Sequence, residues 1–470
     1  MTSLSKRGIY LHGGKWWLQG IAIVLTLVVM GHVMIVTSHD LEKYPGIDLR
    51  DKVVGARLLL RGMNPYYDFR NEPHPDHLRM LTTNTYSPAL LLLYAPFCEL
   101  DWSVQRFIYF LFDWVAILLC YAILAHIFPG RASGTALWLG FVLLFIADFG
   151  FRFELERGQY YVGITLLTAA ASACLLRRPD SWLGALPLAL LVLLRPTYAI
   201  CIIGAFLLRR TRHAAHAVVL CGLMFAATLP IVGIADWRGY VASIHTNEKE
   251  VLDDAYAQGP KPAAAEQSEM LEGVDFSKSM AGPGYLTDRT LIGLARSSVS
   301  PALARLIHQV APSKQSLQRL NAACLLLALC FNVAVMYLFA RGTISSLMPV
   351  AFVFLAPLNL ELFAPQRYGY CDVTILAPLL LIVAAGLGKG KPSGRVLYVV
   401  ILAFGFVIPW LAFHFDKHVP LVSFSKYVVM LAILNVVCIR EAWKLQRFSR
   451  TRAAVPEHRI GERGVGFAQP

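Results

Sequence analysis

Charge is scarce in this chain. Asp, Glu, Lys and Arg make up only 16% of its 470 residues, against a hydrophobic share of 56% and a mean hydropathy of +0.54. Soluble domains carry about a quarter charged residues, so a soluble globular protein is excluded. Acids are the scarcer sign, 30 against 43 Lys and Arg, for a net charge of +13. Paired cysteines are missing as well. The nine present are scattered, mostly inside apolar runs (Cys120, Cys174, Cys201, Cys221, Cys324, Cys330, Cys438), with no pairable spacing and no ligand-like cluster. That argues against a disulfide scaffold and a metal site, and leaves them as core residues. The short apolar core and small-residue cleavage site of a signal peptide are also lacking. The first run, Trp16 to Val36, follows Lys6, Arg7 and Lys15 and passes into Thr37-Ser38-His39. It reads as an uncleaved helix.

What the chain has in abundance is continuous runs rich in Leu, Ala and Val, several approaching the roughly 20 residues that cross a bilayer. Lipid-exposed backbone must satisfy its own hydrogen bonds, which leaves helices or closed barrels, and these runs lack the alternation of barrel strands. The expectation is an all-α, polytopic membrane protein of about twelve transmembrane helices. They fall near 16–36, 105–127, 135–149, 159–176, 182–195, 197–208, 214–234, 317–340, 344–363, 371–388, 396–414 and 419–440. Basic residues punctuate alternate gaps: Lys6/Arg7/Lys15, Arg131, Arg177/Arg178, Arg209/Arg210/Arg212, Arg341, Lys389/Lys391/Arg395 and Lys444/Arg447/Arg450/Arg452. Drawn this way, every cluster and both termini are cytoplasmic, and the positive charge answers membrane topology rather than nucleic acid. Residues 1–450 read as one transmembrane domain in the plasma (inner) membrane, and 451–470 as a disordered cytoplasmic tail. Cytoplasmic connections are short. Two long segments, 38–104 and 235–316, lie outside, where chemistry is expected.

The first outer segment contains GIDLRDKVVGARLLLRGMNPYYD, Gly46 to Asp68. On a helical wheel Leu49, Val53, Ala56 and Leu60 form an apolar stripe, suited to the membrane or to other helices. Arg50, Arg57 and Arg61 form a second, suited to phosphate headgroups. Asp48, Asp51 and Gly55 form a third, with the glycine leaving room beside the acids, and Gly62 with Asn64-Pro65 should end the helix. The duller reading is an interfacial helix with solvated charges, its first acid merely favouring the positive end of the helix.

The spacing Asp48-x7-Ala56-x5-Gly62-x2-Pro65-Tyr66 resembles the opening motif of glycosyltransferase family 87, integral-membrane enzymes of the GT-C superfamily that include polyprenyl-phosphate-mannose-dependent mannosyltransferases. Further segments are similar in the same order. Tyr86-Ser87-Pro88 resembles the Tyr-x-Pro of a second outer helix, and Gly158-Gln159-Tyr160-Tyr161 a Gly-Gln-x-Asn element. Arg195-Pro196-Thr197 resembles Lys-Pro-x, and Asp288-Arg289-Thr290-Leu291-x-Gly293 resembles Asn-Gln-Ser-Leu-x-Gly. Pro365-Gln366-Arg367-Tyr368 resembles Pro-x-x-His-Tyr. Tyr161, Arg195 and Arg367 stand where the family pattern has Asn, Lys and His, and the Asn-Gln pair is lost at Asp288-Arg289.

The resemblance implies a GT-C-type fold and an inverting transfer of a sugar, mannose by default, from a polyprenyl-phosphate donor to an acceptor hydroxyl on a glycolipid or glycan. Asp48 would be the catalytic base, and Arg195 and Arg367 would hold the donor phosphate. Asp51, Tyr66, Gln159, Arg289 and Tyr368 are further substrate-binding candidates. A monophosphate leaving group facing two arginines needs no metal, and no cofactor is expected. Asp113 lies within the apolar FIYFLFDWVAILL, where a carboxylate is costly and invites a function. It makes a secondary transporter, with Asp113 as coupling site, the competing reading. Against it, the distinctive polar residues cluster at outer helix ends rather than at the membrane midplane, and no repeated halves are evident.

Overall fold

The structure, a computed structural model, describes residues 46–67, 84–127, 157–256, 309–341, 347–363, 369–387 and 419–453, with single positions between 24 and 38 and at 151, 154 and 155. Among them every regular element is helical. The helices are α1 (Ile47–Leu60), α2 (Pro88–Tyr94), α3 (Trp102–Ile127), α4 (Tyr161–Arg177), α5 (Leu186–Leu194), α6 (Ala199–Leu207), α7 (Thr211–Tyr256), α8 (Lys314–Ala340), α9 (Leu347–Glu361), α10 (Leu376–Leu387) and α11 (Val419–Ala453). Among the described residues three stretches are long and apolar enough to cross a membrane: Trp102–Ile127, Thr211–Thr246 and Gln315–Ala340. Tyr161–Arg177, Leu183–Leu194, Pro196–Leu207, Leu347–Glu361 and Val373–Ala385 are shorter apolar helices. The crossings expected near 135–149 and 396–414 lie outside the described residues, as do most of 16–36 and the end of the tail.

The elements begin and end for local reasons. Ser87 caps α2, its Oγ accepting from the Leu90 amide at 3.2 Å, with Pro88 at the first helical position. Ser313 caps α8 in the same manner, accepting from the Ser316 amide at 3.1 Å. Pro196 keeps Arg195 out of helical geometry (φ −145°, ψ 96°), and so splits one apolar stretch into α5 and α6 with Arg195 at the break. The helix expected to end near residue 234 instead continues to Tyr256, interrupted at Gly233 (φ 75°, ψ 163°) just after Pro230. The second outer segment therefore opens as helix.

Helix α4 sits at the centre, packed on α3, α5, α9, α10 and the 3-10 turn Gly369–Ile375. Its hydroxyls do not disturb this apolar setting because each finds an acceptor one turn back. Thr165 donates to the Tyr161 carbonyl at 2.8 Å, Thr168 to Ile164 at 2.8 Å and Ser172 to Thr168 at 2.7 Å. In α9, Pro357 cannot donate to the Val353 carbonyl, and the Cys201 thiol of α6 approaches that oxygen at 3.3 Å. Asn332, Asn359 and Asn435, from α8, α9 and α11, hydrogen-bond one another at 2.7 to 3.0 Å and fix the register of those three helices.

Helix α1 is no loose interfacial segment. Its apolar stripe, Leu49, Val53 and Ala56, is buried in the main core, and only Leu60 at its end is exposed. The arginine stripe is already engaged: Arg50 lies 4.8 Å over the Trp102 ring, Arg57 donates to the Cys98 carbonyl at 2.5 Å, and Arg57 and Arg61 face Glu99 at 3.8 and 3.9 Å. Gly62, at φ +68°, ends the helix as expected, and Asn64 Oδ1 accepts from the Tyr66 amide at 2.9 Å to turn the chain.

Candidate active site

Helix α1 starts without a side-chain cap, after Gly46 in the left-handed region. Asp48 is therefore not spent on the helix end. Its side chain turns inward, the residue only 5% exposed, onto Arg157. Arg157 Nε donates to Oδ2 at 2.5 Å and Nη2 to Oδ1 at 3.0 Å, a two-pronged pair that fixes the orientation of the buried carboxylate. Each carboxylate oxygen offers two lone-pair positions, and Arg157 occupies one on each.

One turn along, on the same face of α1, Lys52 is 0% exposed. Its Nζ donates to the Asp48 carbonyl at 2.9 Å, the Gly158 carbonyl at 3.0 Å and Gln159 Oε1 at 3.1 Å. The Tyr86 and Tyr160 rings lie 4.3 and 5.7 Å from the ammonium. Tyr86, half-buried, shares its hydroxyl with the Gln159 amide, which donates from Nε2 at 3.1 Å. Asp51 is fully buried beside them, while Asn84 fills the room left by Gly55: a Cβ there would come within 2.4 Å of its Nδ2.

Residues 157–161, Arg-Gly-Gln-Tyr-Tyr, join this group to Arg195. Gly158 adopts φ +74°, and a Cβ on it would stand 2.4 Å from that of Leu49, so the turn lies flat against α1. On its far side Arg195 Nη1 donates to the Tyr160 hydroxyl at 3.2 Å and the Tyr161 hydroxyl at 2.7 Å, with the guanidinium 4.7 Å from the Tyr161 ring. Arg195 Nε donates to Glu361, whose Oε1 also accepts from Thr197 at 3.1 Å. Tyr161 thus answers the departure from the family's Asn, its hydroxyl reaching a guanidinium.

Of the residues singled out from sequence, Asp48, Asp51, Gln159 and Arg195 converge here. Tyr66 does not reach this cluster with its ring. It is buried, donates to the Tyr86 carbonyl at 2.9 Å and packs on Gly239 and Tyr240. Arg289, Arg367 and Tyr368 lie outside the described residues. Arg157, Lys52 and Glu361 were missed. Asp113 is fully buried, one helical turn from Tyr109, with Lys52 and Arg106 as its nearest cationic influences. Among the described residues no three His, Cys, Asp or Glu gather as metal ligands.

No curated protein and no solved structure matches the chain. The family model described as Glycosyltransferase family 87 matches residues 84–268, which take in Tyr86, the 157–161 turn and Arg195 and stop short of the helix bearing Asp48. The family resemblance read from the motifs is borne out over this stretch, where the chain is similar to a family of glycosyltransferases.

Proposed function

We propose that the chain transfers a sugar, mannose by default, from a polyprenyl-phosphate donor to a glycolipid or glycan hydroxyl at the outer face of the plasma membrane, with inversion. The overall frame is the GT-C-type bundle of about twelve crossings read from the runs. Asp48 takes the proton of the acceptor hydroxyl as that oxygen attacks the anomeric carbon. The bond from that carbon to the phosphate oxygen breaks, and polyprenyl phosphate leaves with the electron pair. Arg157 keeps Asp48 aimed, and of the two lone-pair positions on each carboxylate oxygen it takes one, so the incoming hydroxyl can use another. Arg195, with Arg367 as its expected companion, meets the charge growing on the leaving phosphate.

One observation carries this reading. The five-residue turn 157–161 contacts both the carboxylate on α1 and the cation at the α5–α6 break, so base and phosphate-binding candidates share one site. Transfer of radiolabelled sugar from polyprenyl-phosphate donors in membranes tests it. Asp48→Asn should lower transfer by about 10²- to 10⁴-fold, and equal rates in variant and wild type would remove Asp48 from the mechanism.

A further inference from the structure

We propose that Lys52 is a positioning residue for this site: its ammonium group clamps the helix carrying Asp48 to the turn carrying Arg157, and loss of one proton releases that turn. The proposal deepens the reading of Asp48 as base and rests on it for its catalytic consequence.

An ammonium group has three hydrogens, and here each has an acceptor: the carbonyls of Asp48 and Gly158 and Oε1 of Gln159, at 2.9, 3.0 and 3.1 Å. Two of these belong to consecutive residues of the turn, directly after Arg157. The Gln159 amide is oriented by the same contact, since giving Oε1 to Lys52 leaves Nε2 for the Tyr86 hydroxyl. Nothing else described links α1 to the turn through so many bonds from one atom. Arg157 can hold Asp48 in its two-pronged geometry only while the backbone on which it stands stays against α1.

A neutral amine has two hydrogens and a lone pair. Placed among three oxygen acceptors, it must turn that lone pair toward one of them, and the repelled oxygen moves off. Charged groups face Lys52 from several elements. Asp48 and Asp51 lie on its own helix, Glu154 just before the turn, Arg157 at its start and Asp113 on α3, with the Tyr86 and Tyr160 rings above it. Desolvation outweighs the acids and pushes the Lys52 ammonium down to about 8. Burial moves the neighbouring Tyr86 phenol the other way, well above its ordinary value, so it does not titrate there. The clamp is therefore closed below about pH 8 and opens as pH rises through it.

The sign for stability is opposite. Between the folded value and the ordinary 10.5 the unfolded chain binds more protons at this residue, so its contribution to stability rises with pH. Activity should fall where global stability, as far as Lys52 sets it, does not.

The test uses the full chain in lipid nanodiscs. Amide hydrogen exchange at residues 157–161, corrected for intrinsic rate, should quicken as pH passes about 8, and kcat of the wild type should fall along the same limb. Lys52→Met should lower kcat on the order of 10²-fold with the donor KM within about twofold, and its residual rate should be flat across that limb. Lys52→Arg should not rescue it, because a planar guanidinium cannot serve three acceptors around one nitrogen. Turn exchange that ignores pH overturns the clamp, and so does a limb that persists in Lys52→Met. Should Lys52→Met fail to fold, exchange in the wild type decides alone. Exchange that steps at about pH 8 in a protein with no transfer at any pH would leave the clamp standing and sink the proposed function.

Discussion

Replacing Arg157 by methionine removes both hydrogen bonds from Asp48 while keeping an unbranched apolar stem. The two side chains are each 7% exposed, so water cannot replace the guanidinium without opening the packing between α1 and the turn. Breaking a buried pair from one side costs about 3–5 kcal/mol, mainly because the surviving charge is stranded. Asp48→Asn alone takes this carboxylate charge from the arginine, whereas the double variant removes both members of the pair. Unfolding in mixed micelles over a complete double-mutant cycle should then give a coupling of about 2–3 kcal/mol, with the double variant less damaged than the sum of the singles. Transfer should be lost in all three. Strictly additive stabilities, with coupling below about 0.5 kcal/mol, would refute the claim that Asp48 and Arg157 act as a pair.

Gly158→Ala forces a side chain into the left-handed region and 2.4 Å from the Leu49 Cβ, so turn and helix must part. It should cost about 1–3 kcal/mol and most of the transfer activity; a variant with wild-type melting and turnover would show that the close approach is not needed. Glu361→Gln leaves the Arg195 guanidinium, 13% exposed, without its counter-charge. A loss of about 3 kcal/mol in micelle unfolding is expected, and unchanged stability would mean the tyrosine hydroxyls suffice.

Local chemistry was readable from the chain; long-range pairing was not. The extent of α1, its Gly62 stop and the Asn64 turn follow from neighbouring residues and stand in the structure. The break at Arg195 follows from the proline after it. By contrast, Arg157 meets Asp48 across 109 residues and Glu361 meets Arg195 across 166, distances over which periodicity carries no information. Two signals were available nonetheless. Lys52 lies four positions after Asp48, hence on its face, and Glu361 is the one charged residue of the helix it ends. The arginine stripe misled because a wheel shows which residues are neighbours and not what covers them. Glu99 and Trp102 cover this one.

The flatness of Gly158 against Leu49 bears on any attempt to redesign sugar choice. Five consecutive residues are wired in series to a carboxylate, an ammonium and a guanidinium, so adding or deleting one between 157 and 161 would shift every later contact out of phase. Swapping this pentapeptide between related enzymes should work only as an intact cassette.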